Sequence, residues 1–239
     1  FLLSCIFIFS LNNLVLLYFF SNLEISETNK IIDLKKKLTK SLPDYFIIDL
    51  VNYSLVWGSI FICTFFYDSI TIGNFGSTYW LAFSLLFFPL VLNSIYAPKY
   101  AINSEKNDKR KLKKSFYQNR NISFIITLPV FLIIFIFPEF FLNKIFEIYS
   151  NEYVLILRIL LINSMLRVIF GPQVLFLNMS DKQKKLKFIS IVCAIFQIIL
   201  IFISAYYFNL TILSIVFLIS NLIKYILLKI ELNFFLRNI

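Results

Sequence analysis

The chain has no histidine, only three cysteines and four glycines, and little charge, with 15% of its 239 residues Asp, Glu, Lys or Arg. Each scarcity removes a class of chemistry. Without histidine there is no histidine-based triad and no imidazole general base. Cys5, Cys63 and Cys193 form no C-x-x-C pair, which argues against a structural metal site or a disulfide scaffold. No P-loop occurs, so nucleotide hydrolysis by that route is excluded. A soluble domain usually holds about a quarter charged residues. The shortfall here is matched by an apolar excess: 59% of residues are hydrophobic and the mean hydropathy is +0.82.

That excess is gathered into runs. A helix crossing a bilayer's hydrocarbon needs roughly 17 to 25 apolar residues, and segments 1–20, 45–67, 75–97, 122–138, 152–171, 188–208 and 211–228 are near or above that length. Stretches such as FLIIFIFPEFF do not alternate in polarity, which rules out a transmembrane barrel. The expectation is an all-α, polytopic membrane protein of about seven transmembrane helices. The fifth segment carries Arg158 and Arg167 and ends at Gly171 and Pro172. Proline removes a backbone donor and clashes with the preceding turn, so a kink or a helix end falls there, and QVLFLNMS beyond it continues as a short helix or a loop.

The basic residues set the topology. Residues 21–44 hold five lysines, including Lys35, Lys36 and Lys37, and residues 98–121 hold eight Lys or Arg. With Lys182, Lys184, Lys185, Lys187, Lys229 and Arg237 these stretches account for 19 of the 23 basic residues. The intervening loops are nearly bare, so the positive-inside rule places the basic set, and the C-terminus, in the cytoplasm. The net charge of +10 is then a membrane feature whose partner is anionic lipid headgroups. No nucleic-acid partner is expected, because no loop exceeds about two dozen residues. Phe1 opens directly into an apolar run without the basic region or the small-residue cleavage site of a signal peptide. The expected organisation is therefore a fragment. Residues 1–20 are the last helix of a missing N-terminal lobe of the same polypeptide, 21–44 a basic cytoplasmic linker, 45–230 a six-helix lobe and 231–239 a cytoplasmic tail.

Polar residues inside the apolar segments are the candidate site. Arg167 lies fifteen residues beyond Glu152, roughly 22 Å into a core about 30 Å thick. A charge at that depth usually faces protein or a water-filled cavity. Three roles fit: a cavity cation that meets an anionic substrate, one half of an internal pair, or a side chain that snorkels to the surface. Asn163 shares its helical face, four residues earlier. Arg158 lies nearer the outer end and nearly opposite on an ideal helix, so headgroup contact competes with substrate contact. Asp49, one turn inside its helix with Asn52 and Tyr53 on the same face, is either a proton carrier or an interfacial group. Ser190, Cys193, Gln197 and Ser204 recur at helical spacing on one segment, and Ser220, Asn221 and Lys224 cluster on the next. Such residues glue helices together or line a polar path.

The order of these features resembles the C-terminal half of a polysaccharide flippase of the Wzx type, in the MOP exporter superfamily that includes the MATE drug exporters. YDSITIGNFGSTYWLAFSLLFFPLVLNSIYAPKYA is similar to that family's short outer loop and following helix, with Gly76 and Tyr79 leading in and Pro98 at the cytoplasmic end. FYQNRNISFIITLPVFLIIFIFPEFFLNKIF resembles the next connector and helix, and LLINSMLRVIFGPQVLFLNMSDKQKKLKFISIV the helix that ends in Gly-Pro, here Gly171 and Pro172. Ser180 and Asp181 stand where the family often has glycine. The resemblance implies a MATE-like C-terminal lobe plus the preceding helix, in the bacterial inner membrane, with no enzymatic step and no cofactor or metal. The implied cargo is an undecaprenyl-diphosphate-linked oligosaccharide, and the implied partners include proteins of polysaccharide assembly. Arg167, Asn163, Lys224 and Arg158 would bind substrate, Asp49 would couple an ion, and Gly76, Pro98, Gly171 and Pro172 would be structural. A drug or small-molecule exporter of the same superfamily is the alternative, followed by a structural membrane subunit.

Overall fold

Helix is the regular structure of every element among the described residues, which in this computed structural model are 43–53, 57–58, 60–106, 108–180, 182–207 and 209–237. The expectations for segment 1–20 and for nearly all of the basic linker fall outside them. A leading helical stretch, 43–53 and again 60–63, ends in turns at 64–67. Asp68 then caps α1 (Ser69–Ser84), accepting from the Thr71 amide at 3.1 Å and the Thr71 hydroxyl at 2.6 Å. Those bonds, the hydroxyl's first, hold the Asp68 carboxyl below its ordinary range.

The segment expected as one helix over 75–97 is two. After α1 the chain turns at Leu85 and Leu86 and resumes as α2 (Phe87–Glu105), bent by 47°. Pro89 accounts for the break: it has no N–H to donate, and its ring crowds the carbonyl four residues back, that of Leu85. Pro98, expected at the end of this helix, is instead inside α2, which runs seven residues further. The basic stretch 98–121 is likewise no loop. Asp108 caps α3 (Lys109–Ile136) by accepting from the Lys111 amide at 3.0 Å, so Lys99 lies within α2 and Lys109, Arg110, Lys111, Lys113, Lys114 and Arg120 within α3. Leu112 and Phe116 are buried within that basic run, which anchors the helix there. A short α4 (Pro138–Phe146) begins on its proline and occupies a connection expected to be irregular.

Ser150 caps α5 (Asn151–Phe170), which buries one broad face carrying Val154, Leu157, Leu161, Ser164 and Val168. Gly171, at φ 78°, ends it, and α6 (Gln173–Met179) follows, as the short helix that sequence left open. The last two helices are α7 (Gln183–Tyr207) and α8 (Leu210–Arg237). Among the described residues four spans are long and apolar enough to cross a membrane: Lys109–Ile136, Asn151–Met179, Gln183–Tyr207 and Leu210–Leu236, with the bent pair α1 and α2 as a fifth if it is one span. The described residues are those of an all-α, polytopic membrane protein.

Residues 44–239 pack as one unit, with α8 lying against α5 and α7, and α5 also against α1 and α3. Among the described residues two large apolar clusters hold the helices, with a third, small one of Leu86, Met165 and Val168. One gathers Phe75, Leu142, Ile148, Tyr153, Leu157 and Leu210 at the end that lacks lysine clusters. The other joins Ile48, Tyr100, Leu112, Phe176, Leu186 and Leu232 at the basic end. At that basic end Lys185 pairs with Glu231 at 2.8 Å, and Lys187 pairs with Asp44, tying the leading stretch to α7. Gly76 has open space where a Cβ would project, so no close packing demands glycine there. Gly171 is the reverse: a Cβ would meet the Arg120 side chain at 3.0 Å and Phe116 at 3.2 Å.

Candidate functional site

Between the two clusters lies a cavity of about 290 Å³. Its walls come from the leading stretch (Asp49, Asn52), from α1 at its bend (Tyr79, Ala82, Leu86), from α5 (Leu160, Asn163, Arg167), from α7 (Gln197) and from α8 (Asn221, Lys224, Tyr225). Four of the five proposed substrate and ion residues, Arg167, Asn163, Lys224 and Asp49, therefore share one wall system. Arg158 does not line it. Its guanidinium lies 5.8 Å from the centre of the Phe135 ring, against α3, because nine residues along α5 turn it to the far side of the helix.

Arg167 lies twelve residues before the end of the Asn151–Met179 span, and Lys224 twelve before the end of Leu210–Leu236. For Lys224, on an unbroken helix, that is roughly 18 Å at 1.5 Å per residue; for Arg167 the path includes the break at Gly171 and Pro172. Because α6 prolongs the span past Gly171, Arg167 is nearer mid-span than a helix ending at 171 would place it, and snorkelling toward the basic end becomes a poorer fit. Arg167 is exposed and lies in the last turn of α5, where the helix dipole favours a cation. Lys224 is buried, at 6% exposure, and its ammonium donates to Asn52 Oδ1 at 2.7 Å.

Among the described residues neither cation has a carboxylate partner; the ion pairs there involve Lys111, Lys185 and Lys187. Asp49 is the cavity's carboxylate and is exposed, so the lining carries an excess of positive charge. A buried ammonium held by one neutral amide is poorly compensated in a medium of low dielectric. Asn163 adds to the unfilled polarity, since its Oδ1 is buried without a hydrogen-bond partner. Two tyrosines, Tyr79 and Tyr225, complete the polar wall. The buried face of α7 expected from its spacing is present: Ser190, Cys193, Gln197 and Ser204 are all buried, and Gln197 reaches the cavity.

A separate polar cluster was not anticipated. Asn119 on α3 is fully buried and donates to Asn93 Oδ1 at 3.0 Å and to the Tyr100 hydroxyl at 3.2 Å. The Ser123 hydroxyl donates to Asn119 Oδ1 at 3.2 Å. Asn119 falls in the stretch expected as a charged loop and Ser123 just inside the expected helix 122–138, so their spacing of four crosses the expected boundary.

No protein-family model, curated protein or solved structure matches this chain. Its class thus follows from its own architecture: a multi-spanning helical membrane protein, transporter-like in having a mid-span polar cavity bordered by two interrupted helices.

Proposed function

We propose that this chain forms a lobe of a transporter that moves a lipid-linked oligosaccharide, carried on a polyprenyl diphosphate, across the bacterial cytoplasmic membrane. The observation that carries the reading is the pair Arg167 and Lys224, both lining one open cavity and without an ion pair among the described residues. Guanidinium matches phosphate oxygens in a fork geometry, and the lysine supplies a second point of charge. A diphosphate would neutralise both. The polyprenyl tail would stay in lipid while the saccharide occupies the polar lining around Asn163, Gln197 and Asn221. No covalent bond changes, and no cofactor takes part. Movement would come from rocking of this lobe against a partner lobe, as in repeat-built transporters whose sites lie at the midplane beside broken helices. Asp49, on the same cavity, is the group we assign to ion coupling. Partners in polysaccharide assembly follow from the same reading.

A cationic-drug exporter suits the cavity less well, because among the described residues its two cations outnumber its one carboxylate. The test is binding of farnesyl diphosphate to the chain in lipid nanodiscs. Wild type should bind it at least about tenfold more tightly than uncharged farnesol, and Arg167→Gln should lose about tenfold or more, the range for one charge-assisted contact. Equal affinity for farnesol, or an Arg167→Gln protein that binds as wild type does, would sink the reading.

A further inference from the structure

Behind Arg167 lies a second chamber of about 70 Å³, between α2, α3 and the break that joins α5 to α6. It shares Arg167, Val174 and Tyr225 with the main cavity, so the two are neighbours across that partition. Its other polar lining is Asn93, Ser123 and Gln173. We infer that this chamber receives a hydroxyl-bearing arm of the saccharide whose diphosphate sits at Arg167 and Lys224; the inference rests on the anionic-ligand reading above.

Gln173 carries the argument. The residue is 3% exposed, and its Oε1 is buried with no hydrogen-bond partner. Buried carbonyl oxygens are nearly always satisfied, so this one awaits a donor. The helix break is what brings it beside Arg167. In an uninterrupted helix, residues six apart point about 120° away from each other, whereas the positive φ at Gly171 lets both line one chamber. The neighbouring groups are already set. The Ser123 hydroxyl spends its proton on Asn119 and keeps lone pairs to accept with, while the Asn93 oxygen is taken by Asn119, leaving its amide hydrogens to donate.

A fully ionised phosphate has no proton for Gln173 Oε1, and a metal cation would meet the Arg167 guanidinium. A hydroxyl both donates and accepts, giving its proton to Gln173 and accepting from Asn93 or Arg167. Size restricts it further. At about 70 Å³ against about 290 Å³ for the main cavity, the chamber suits a hydroxymethyl group and the main cavity the ring. The ring stays in the main cavity, and the arm alone enters.

The experiment compares farnesyl-diphosphate-linked glucose with farnesyl-diphosphate-linked xylose, which lacks the hydroxymethyl arm, on the chain in nanodiscs, with farnesyl diphosphate as the charge control. Wild type should favour the glucose compound by roughly three- to tenfold, the range of one net hydrogen bond. In Gln173→Met that ratio should fall to about one. Asn93→Ala, which removes the amide that donates to the arm's hydroxyl, should lower the ratio in the same direction and guards against a Gln173 variant that does not fold. A wild-type ratio of one, or a ratio unchanged in both variants, would assign the chamber to water and overturn the inference while farnesyl diphosphate binding persists. Absence of farnesyl diphosphate binding in wild type would overturn the anionic reading and this inference together.

Discussion

The Lys224 ammonium donates a 2.7 Å hydrogen bond to Asn52 Oδ1, linking the middle of the last span to the leading helical stretch across the cavity. Asn52 is thus the one side chain among the described residues that holds this buried charge. Asn52→Leu should lower thermal stability in detergent, by about 1 to 3 kcal/mol, because the ammonium loses its acceptor without leaving the cavity. Asn52→Asp separates charge from packing. It should be more stable than Asn52→Leu, yet bind farnesyl diphosphate roughly tenfold more weakly than wild type, because an internal carboxylate then occupies Lys224. Unfolding midpoints and binding isotherms on the three proteins check both halves, and an Asn52→Asp protein with wild-type affinity would mean that Lys224 does not meet the anion.

The two arginines of α5 differ in what they touch. Arg167 lines the cavity, whereas Arg158 lies over the Phe135 ring with its Nε buried and unpartnered. Arg158→Gln should therefore leave farnesyl diphosphate affinity within about twofold, and its cost should appear as lost packing and cation–π attraction, on the order of 1 kcal/mol. Arg167→Lys should fall between wild type and Arg167→Gln, since a lysine keeps the charge but not the fork. If Arg158→Gln weakened binding as much as Arg167→Gln, the cavity would have to extend across α5.

Much of the cavity was visible beforehand for a simple reason. Charges and amides are expensive among apolar residues, so Arg167, Lys224, Asn163 and Gln197 stand out, and helical periodicity alone turns Arg158 away from Arg167. Their meeting was not visible, because it depends on how α5, α7 and α8 rotate against each other. Breaks were read unevenly. Gly171 and Pro172 announce themselves as a pair, while Pro89 lies within an unbroken apolar run that disguises it, although its effect on the Leu85 carbonyl is the same chemistry. The stretch 98–121 misled because charge density suggested a loop; Asp108 as a cap and Leu112 with Phe116 at i and i+4 are the features that make it helix.

Asn119 shows what the charged stretch concealed. It is buried, and its side chain is spent on Asn93, Tyr100 and Ser123. Asn119→Leu keeps the volume but strands those groups, so it should destabilise the protein by about 2 to 3 kcal/mol. Asn119→Asp should restore the bond from Ser123 but not the two donations, and should fall between. Thermal unfolding in one detergent ranks the three; equal midpoints would mean that water already satisfies the cluster.

Gly171 sets the direction of everything after α5. Its φ of 78° with ψ −173° is a region open essentially to glycine alone and costs another residue on the order of 1 to 3 kcal/mol, and a Cβ there would meet Arg120 Cγ at 3.0 Å and Arg120 Cβ at 3.1 Å. Gly171→Ala therefore suffers two penalties of different origin, and a second substitution separates them. Arg120→Ala shortens the opposing side chain while leaving its Cβ, so the double variant should recover part of the loss and keep the backbone strain. The Gly171→Ala penalty should be about 2 to 4 kcal/mol in the wild-type background, from the strain and the overpacking together. In Arg120→Ala it should be smaller by about 1 kcal/mol, measured as a double-mutant cycle of unfolding free energies. A penalty identical in both backgrounds would mean that the backbone conformation alone demands glycine, and that the fit against α3 is incidental.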